Sequence, residues 1–317
     1  QASPHDLIIL RKLSLSYDKT NELDKAMAIA DKLYTEAESQ NNPQYMGRAL
    51  LYQSKILTKK GLFTLSANKL NRAFVQLEKI NDLTHLADAW YAQAWIDDHH
   101  KDYPAIKTSL LKSNQLAADS NNKLTEIDAT LLLAVLAHDY LQHEDKYLYL
   151  QHAENKIAAY NMADCHFGRI SFRYAMFATA LSEKEPHLKQ ALALTTGTPE
   201  NWIAHSSRKL LMQQYIAQER LAEGQQLIDA TSSDSYHNTY LRTLMAQARL
   251  QSEDMLYYAR RTFEQAQLAG HRSMSLDVAL LLYSQQVNQD FYSQYIQDNS
   301  TAHWRSNNAA ELQRLKL

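Results

Sequence analysis

The chain has 317 residues, with only six Gly, five Pro and a single Cys, Cys165. So few turn residues argue against sandwiches, barrels, propellers and disorder, and four valines (Val75, Val135, Val278, Val287) leave little from which to build a parallel sheet. Thirty-three basic and thirty-five acidic side chains give a net charge of −2, which disfavours binding of DNA or RNA by bulk electrostatics.

Along the chain the apolar spacing is helical, and polar or helix-starting residues interrupt it at regular intervals. Tight breaks are expected near Asn21, Gly61, Lys101, Glu144, Lys184, Glu219, Asp254 and Gln289, in steps of about 40 residues and then about 35. Between them lie looser breaks: Asn41-Asn42-Pro43, Asn81-Asp82, Asn121-Asn122, Asn161 to Asp164, Thr195 to Pro199, Thr231 to Asp234, and Gly270. Two break types in alternation predict antiparallel helix pairs stacked in a row. Punctuation agrees. Pro4, Pro43, Pro104, Pro186 and Pro199 are expected at helix starts, with Ser3, Asn42 and Thr198 as N-caps, and Gly61 and Gly270 at helix ends. The run Ala129 to Ala137 is too short for the ~20 residues of a membrane span and reads as a buried helix. Asp298 to Leu317, with Trp304, Glu311, Arg314 and Lys316, is expected to form a terminal capping helix.

Within these pairs, small and large residues recur where helices must approach closely. Leu10, Leu13, Ser14 and Tyr17 are followed by Ala26, then more loosely by Ala30 and Leu33. Later come Gly61, Phe63, Ser66, Leu70 and Ala73; Trp90 and Ala94; Leu211, Met212, Tyr215, Gly224 and Ile228; and Ala259, Phe263 and Ala266. This pattern resembles the tetratricopeptide repeat (TPR), although the motif's first-helix Gly is missing. The longer steps resemble the extended repeats of bacterial MalT-like and CadC-like regulators. The resemblance implies an all-α, right-handed superhelical solenoid of about seven to eight helix pairs. Residues 1–195 would carry the ~40-residue period, and residues 196–317, continuous with them, the ~35-residue period and the cap.

Chemistry is sparse. No phosphate-loop, dinucleotide, serine-hydrolase, HExxH or CxxC signature occurs. The stretch Asp97-Asp98-His99-His100-Lys101-Asp102 has metal-binding donors, but neighbours on a helix end point about 100° apart, so a solvated turn is the stronger reading over a metal or pH-sensing site. His138 and Gln142 share a helix face, with His143 beside them, and His138 reads as a hydrogen-bonded buried residue rather than a ligand. Cys165-His166 reads as a buried, inert thiol. Nineteen tyrosines supply bulk for repeat packing, with a minority left as anchors for a partner.

A TPR-like array binds through its concave face, lined by first helices. That implies ligand contacts from Arg48, Lys55, Lys59, Tyr91, Trp95, Arg173 and Lys209, a mixed aromatic and cationic groove suited to an extended peptide or an acidic C-terminus. The expected function is a non-catalytic protein- or peptide-binding module without cofactor or metal, the sensor or interaction part of a larger bacterial signalling or transcription-regulatory protein. The alternatives are a stand-alone scaffold or co-chaperone that recruits peptide tails, and an all-helical lyase or hydrolase. Partners are expected to be proteins or peptides, or a second copy in a homodimer, and not nucleic acid or membrane. The chain begins Gln1-Ala2-Ser3, as expected of a piece of something larger, and both bacterial cytoplasm and periplasm are open to it.

Overall fold

The computed structural model describes residues 4–19, 22–140, 143–231, 234–300 and 302–317. The chain separates into two compact units, residues 1–173 and 174–317. Among the described residues there are eighteen α-helices and no strand.

The first unit holds α1 (Pro4–Lys19), α2 (Leu23–Ser39), α3 (Pro43–Lys59), α4 (Phe63–Lys79), α5 (Leu83–His99), α6 (Tyr103–Asp119), α7 (Lys123–Asp139) and α8 (His143–Ala159). From α2 to α8 every helix is 17 residues long. Their starts fall twenty residues apart, so the 40-residue step is two identical helix-plus-turn modules. The turn explains this regularity. Asn41, Gly61, Asn81, Lys101, Asn121 and Asn161 all take positive φ. The residue after each of them donates its N–H to a carbonyl five residues back: Asn42 to Ala37, Leu62 to Leu57, Asp82 to Leu77, Asp102 to Asp97, Asn122 to Ala117 and Met162 to Ile157. That is the left-handed C-terminal cap, which Gly or Asn enters at least cost. Asn42 then accepts from the Tyr45 N–H at 3.2 Å and starts the next helix with Pro43 in its first turn.

The same forty-residue register governs packing. Ala30, Leu70, Leu110 and Leu150 are fully buried, as are Leu33, Ala73, Ser113 and Ala153 and, a turn further on, Ala37, Leu77, Ala117 and Ile157. Large and small are exchanged between Ala30/Leu33 and Leu70/Ala73, which conserves volume at the helix contact. Small residues on the first helices sit against the start of the second: Ser14 Oγ donates to the Ala26 carbonyl at 3.1 Å, and Ser54 Oγ meets Ser66 Oγ at 2.8 Å. First helices of successive pairs also pack side by side, α1 on α3, α3 on α5 and α5 on α7. α9 (Cys165–Phe177) begins on buried, unpaired Cys165 and spans the boundary between units.

The second unit continues with α10 (Leu181–Thr195), α11 (Asn201–Ala217), α12 (Leu221–Asp229), α13 (Tyr236–Ala248), α14 (Ser252–Leu268), α15 (Arg272–Ser284), α16 (Gln289–Asn299), α17 (Ala302–Asn307) and α18 (Ala309–Leu315). Ala259, Phe263 and Ala266 of α14 are buried against α13 and α15, as the small–large–small pattern anticipates. Gly270 closes α14 at φ +68°.

Three local expectations are corrected. Pro186 lies inside α10 rather than at its start. The extra turn before it is tied down by tertiary bonds: Gln214 Nε2 donates to the Leu181 carbonyl at 2.8 Å, and Arg220 Nη1 reaches Glu185 at 2.7 Å. These hold the helix open to a proline that would otherwise mark its beginning. Pro199 precedes α11 in a turn, where the Thr198 hydroxyl accepts from the Glu200 N–H at 3.1 Å. The C-terminal cap is two short helices, not one: Asn308 interrupts them and its Nδ2 donates back to the Trp304 carbonyl at 2.9 Å. Ser3, Asn21 and Gln142 lie outside the described residues. Among the described residues no helix is long and apolar enough to cross a membrane.

Candidate functional site

In the first unit, first-helix positions one repeat apart place polar and aromatic groups on one face. Two clusters result. The first surrounds Tyr52, whose buried hydroxyl has its pKa raised by burial and is faced by Arg11 and Arg48. Arg48 is committed within the protein: its Nη2 meets Asp82 at 3.2 Å and its guanidinium lies 5.4 Å from the Tyr45 ring centre. The Nε atoms of Arg11 and Arg48 are buried without a hydrogen-bond partner. The second cluster joins α5, α7 and α9. Burial, with Asp128 nearby, pushes the Tyr91 phenol up to about 12, and Trp95 stands edge-on to Tyr91 with ring centres 6.4 Å apart. Arg169 pairs with Asp128, while Arg173, facing Tyr91 and Asp139, has its pKa lowered by burial.

Of the residues singled out from sequence, then, Tyr91, Trp95 and Arg173 come together, with Trp95 43% exposed. Lys55 occupies the position of Trp95 one repeat earlier, is half-buried and makes no ion pair among the described residues. Lys59 is held at the end of α3 by Asp18, at 2.6 Å. Lys209 belongs to the second unit. His99 stacks on Phe63 with centres 3.7 Å apart, and His138 Nδ1 meets Lys146 Nζ at 3.2 Å. No group of three metal-binding side chains converges among the described residues.

The more enclosed site is in the second unit, between first helices α11, α13 and α15. A cavity of about 520 Å³ lies over His205, Arg208, His237 and His271, with Trp202 at its rim. A neighbouring cavity of about 680 Å³ runs toward Trp304 and Asn308. Lys209, Tyr240 and Asp277 line both, so they form the partition of one groove. The partition is rigidly built. Lys209 Nζ meets Asp277 Oδ2 at 3.2 Å, Trp304 Nε1 donates to Asp277 Oδ1 at 2.8 Å, and the ammonium sits 5.2 Å from the Tyr240 ring centre. Burial opposes the Lys209 charge, but Tyr240 and Asp277 hold its pKa above the usual lysine value.

Three histidines spaced by the second-unit repeat form the floor. His205 and His237 stack with centres 3.7 Å apart and planes 8° apart, and His271 meets His237 edge-on at 5.8 Å. Burial pulls all three imidazoles below their ordinary pKa. His237 falls to about 3, since His205, His271 and Arg208 add like charge to the desolvation. Sequence reading passed over these histidines because each, taken singly, sits on an unremarkable polar helix position. The signal that finds them is the repeat step itself, which brings positions 205, 237 and 271 to one face.

No protein-family model matches the chain, and no curated protein sequence matches it. Among solved structures, a Rap protein complexed with competence and sporulation factor is similar over 98% of this chain and 99% of its own, with 13% sequence identity and a TM-score of 0.56. That likeness is one of fold: the chain is an all-α, TPR-like helical repeat.

Proposed function

We propose that this protein is a non-catalytic peptide-binding repeat module whose ligand lies in the α11–α13–α15 groove. The observation that carries the reading is the pair of contiguous cavities sharing the Lys209–Tyr240–Asp277 partition. An extended segment crossing that partition meets aromatic rings and fixed polar groups, the chemistry of a peptide groove rather than of a closed reaction centre. The Rap protein of similar fold, seen complexed with competence and sporulation factor, supports a ligand-receiving role for this architecture. We further place the module in a larger bacterial signalling or transcription-regulatory protein, on the strength of its repeat style.

The test is affinity selection of a displayed random peptide library on the purified protein, followed by fluorescence anisotropy of enriched peptides. Tyr240→Ala and Trp202→Ala should each weaken binding about tenfold or more, the range of anchoring aromatics. Enriched peptides that bind both variants as tightly as the parent would move the site elsewhere, with the Trp95 cluster of the first unit the next surface to test.

A further inference from the structure

Arg208 is an unusual cation. It is only 8% exposed, its Nη2 donates to the neutral Thr196 hydroxyl at 3.3 Å, and no carboxylate pairs with it among the described residues. Burying a guanidinium without a counter-charge is costly, and structures keep one there when something else supplies the anion. The nearby carboxylate, Asp277, is already taken by Lys209 and Trp304. We propose that the 520 Å³ chamber receives one carboxylate of the bound segment as the counter-ion of Arg208, and that its arrival draws one proton onto the stacked His205–His237 pair.

The surrounding groups decide where the proton goes. From α11 come His205, Arg208 and Lys209; from α15, His271 and Asp277; on α13 itself Tyr236 and Tyr240 flank His237. His271 is the N-cap of α15, and its Nδ1 accepts from the Met274 N–H at 3.3 Å. Protonating that nitrogen would break the cap and place positive charge at a helix N-terminus, so His271 stays neutral. His205 Nε2 lies 2.9 Å from the Asn201 side-chain amide, which donates to it when the ring is neutral; on protonation the amide turns its oxygen to accept and gives up the bond that this oxygen takes from the Gly197 N–H at 3.2 Å. Without an anion, Arg208 and the stacked ring oppose the charge. With a carboxylate in the chamber, the balance reverses and the pair takes up one proton, since two cations at stacking distance repel. Affinity for a carboxylate therefore rises as pH falls from 7.5 toward 5.5.

This inference rests on the groove being the ligand site, and its experiment is separable from peptide capture. The probe is sodium acetate at constant ionic strength, read by ring ¹H–¹³C NMR of the histidines in the whole chain, with acetamide and inorganic phosphate as parallel arms. Acetate should shift the His205 and His237 signals saturably, raise the apparent pKa of His205 by about one unit and bind more tightly at pH 5.5 than at 7.5; acetamide should do nothing. Arg208→Gln should abolish the response, and Arg208→Lys, which keeps the charge if the glutamine variant unfolds, should retain part of it. No acetate response in the parent, a full response in folded Arg208→Gln, or a response to phosphate alone would overturn the proposal. Peptides captured by a groove indifferent to acetate would defeat the carboxylate assignment while leaving the peptide reading intact.

Discussion

Two helical glycines show how narrowly packing is set at single positions. A Cβ on Gly47 would lie 2.8 Å from Leu77 Cδ2 and 2.9 Å from its Cγ, and Leu77 is fully buried. On Gly224 the same atom would meet Met245 Cε at 2.6 Å and Met212 Sδ at 3.1 Å, flexible thioether ends that can swing aside. Gly47→Ala should therefore cost about 1 kcal/mol net of the helix-propensity gain, while Gly224→Ala should fall within about 0.5 kcal/mol of the parent. Urea denaturation midpoints decide it; equal losses at both sites would show that contact geometry is not the controlling factor. His237 carries the second residue-scale prediction. The unfolded chain protonates this ring below about pH 6.5, whereas the folded ring resists protonation down to about 3. The unfolded state then binds more protons, so stability is lost as pH falls below about 6.5. Melting temperature should drop between pH 7.5 and 5, and His237→Asn should flatten that drop; parallel profiles would contradict the assignment. Lys209 was legible because first-helix placement is read from apolar spacing. The histidines and Arg208 were not, because a polar residue in a groove leaves no mark on that periodicity.

Helices and their turns were the most legible level, for a physical reason. Each module needs a left-handed residue after 17 helical ones, and Asn or Gly supplies it at Asn41, Gly61, Asn81, Asn121 and Asn161. Lys101 is the exception, holding φ +56° with a β-carbon that disfavours it. Its exposed contact with Asp98, at 3.3 Å, offsets little of that strain. Lys101→Gly should raise stability by about 1 kcal/mol and Gly61→Ala should lower it by a similar amount. A denaturation series in which the two substitutions shift the midpoint in the same direction would refute the turn as the source of the register. Where the sequence misled, tertiary contacts had overridden local signals. Pro186 reads as a helix start, yet Glu185 beside it accepts from Arg220, Lys189 and Tyr215, and that network keeps a full turn helical ahead of the proline. The break at Asn308 likewise follows from Trp304, which is buried and hydrogen-bonded to Asp277 and so fixes where the last helices turn.

At the scale of the molecule, among the described residues, the close backbone packing joins helices one or two places apart in the chain, and longer links such as Lys209–Asp277 between α11 and α15 are made by side chains alone. This is why an array could be read from periodicity alone: no distant pairing has to be guessed. It also sets how damage should spread. In such a chain, stability is a sum of repeat terms and nearest-neighbour terms, and a defect loosens its own repeat and those touching it. Leu70 is fully buried between α4 and its neighbours, and Leu70→Ala should cost about 2–4 kcal/mol through lost burial and the cavity left behind. Hydrogen exchange followed by mass spectrometry should then show faster exchange through α3, α4 and α5, while amides of α13 to α15 keep parental protection. Phe263→Ala in α14 should give the reverse pattern, because Phe263 packs with Tyr292 and Tyr295 in the core of its own unit. Uniform loss of protection along the chain in either variant would mean one cooperative core. The groove over α11, α13 and α15 would then respond to mutations anywhere in the protein, and its ligand affinity would fall with Leu70→Ala as steeply as with Tyr240→Ala.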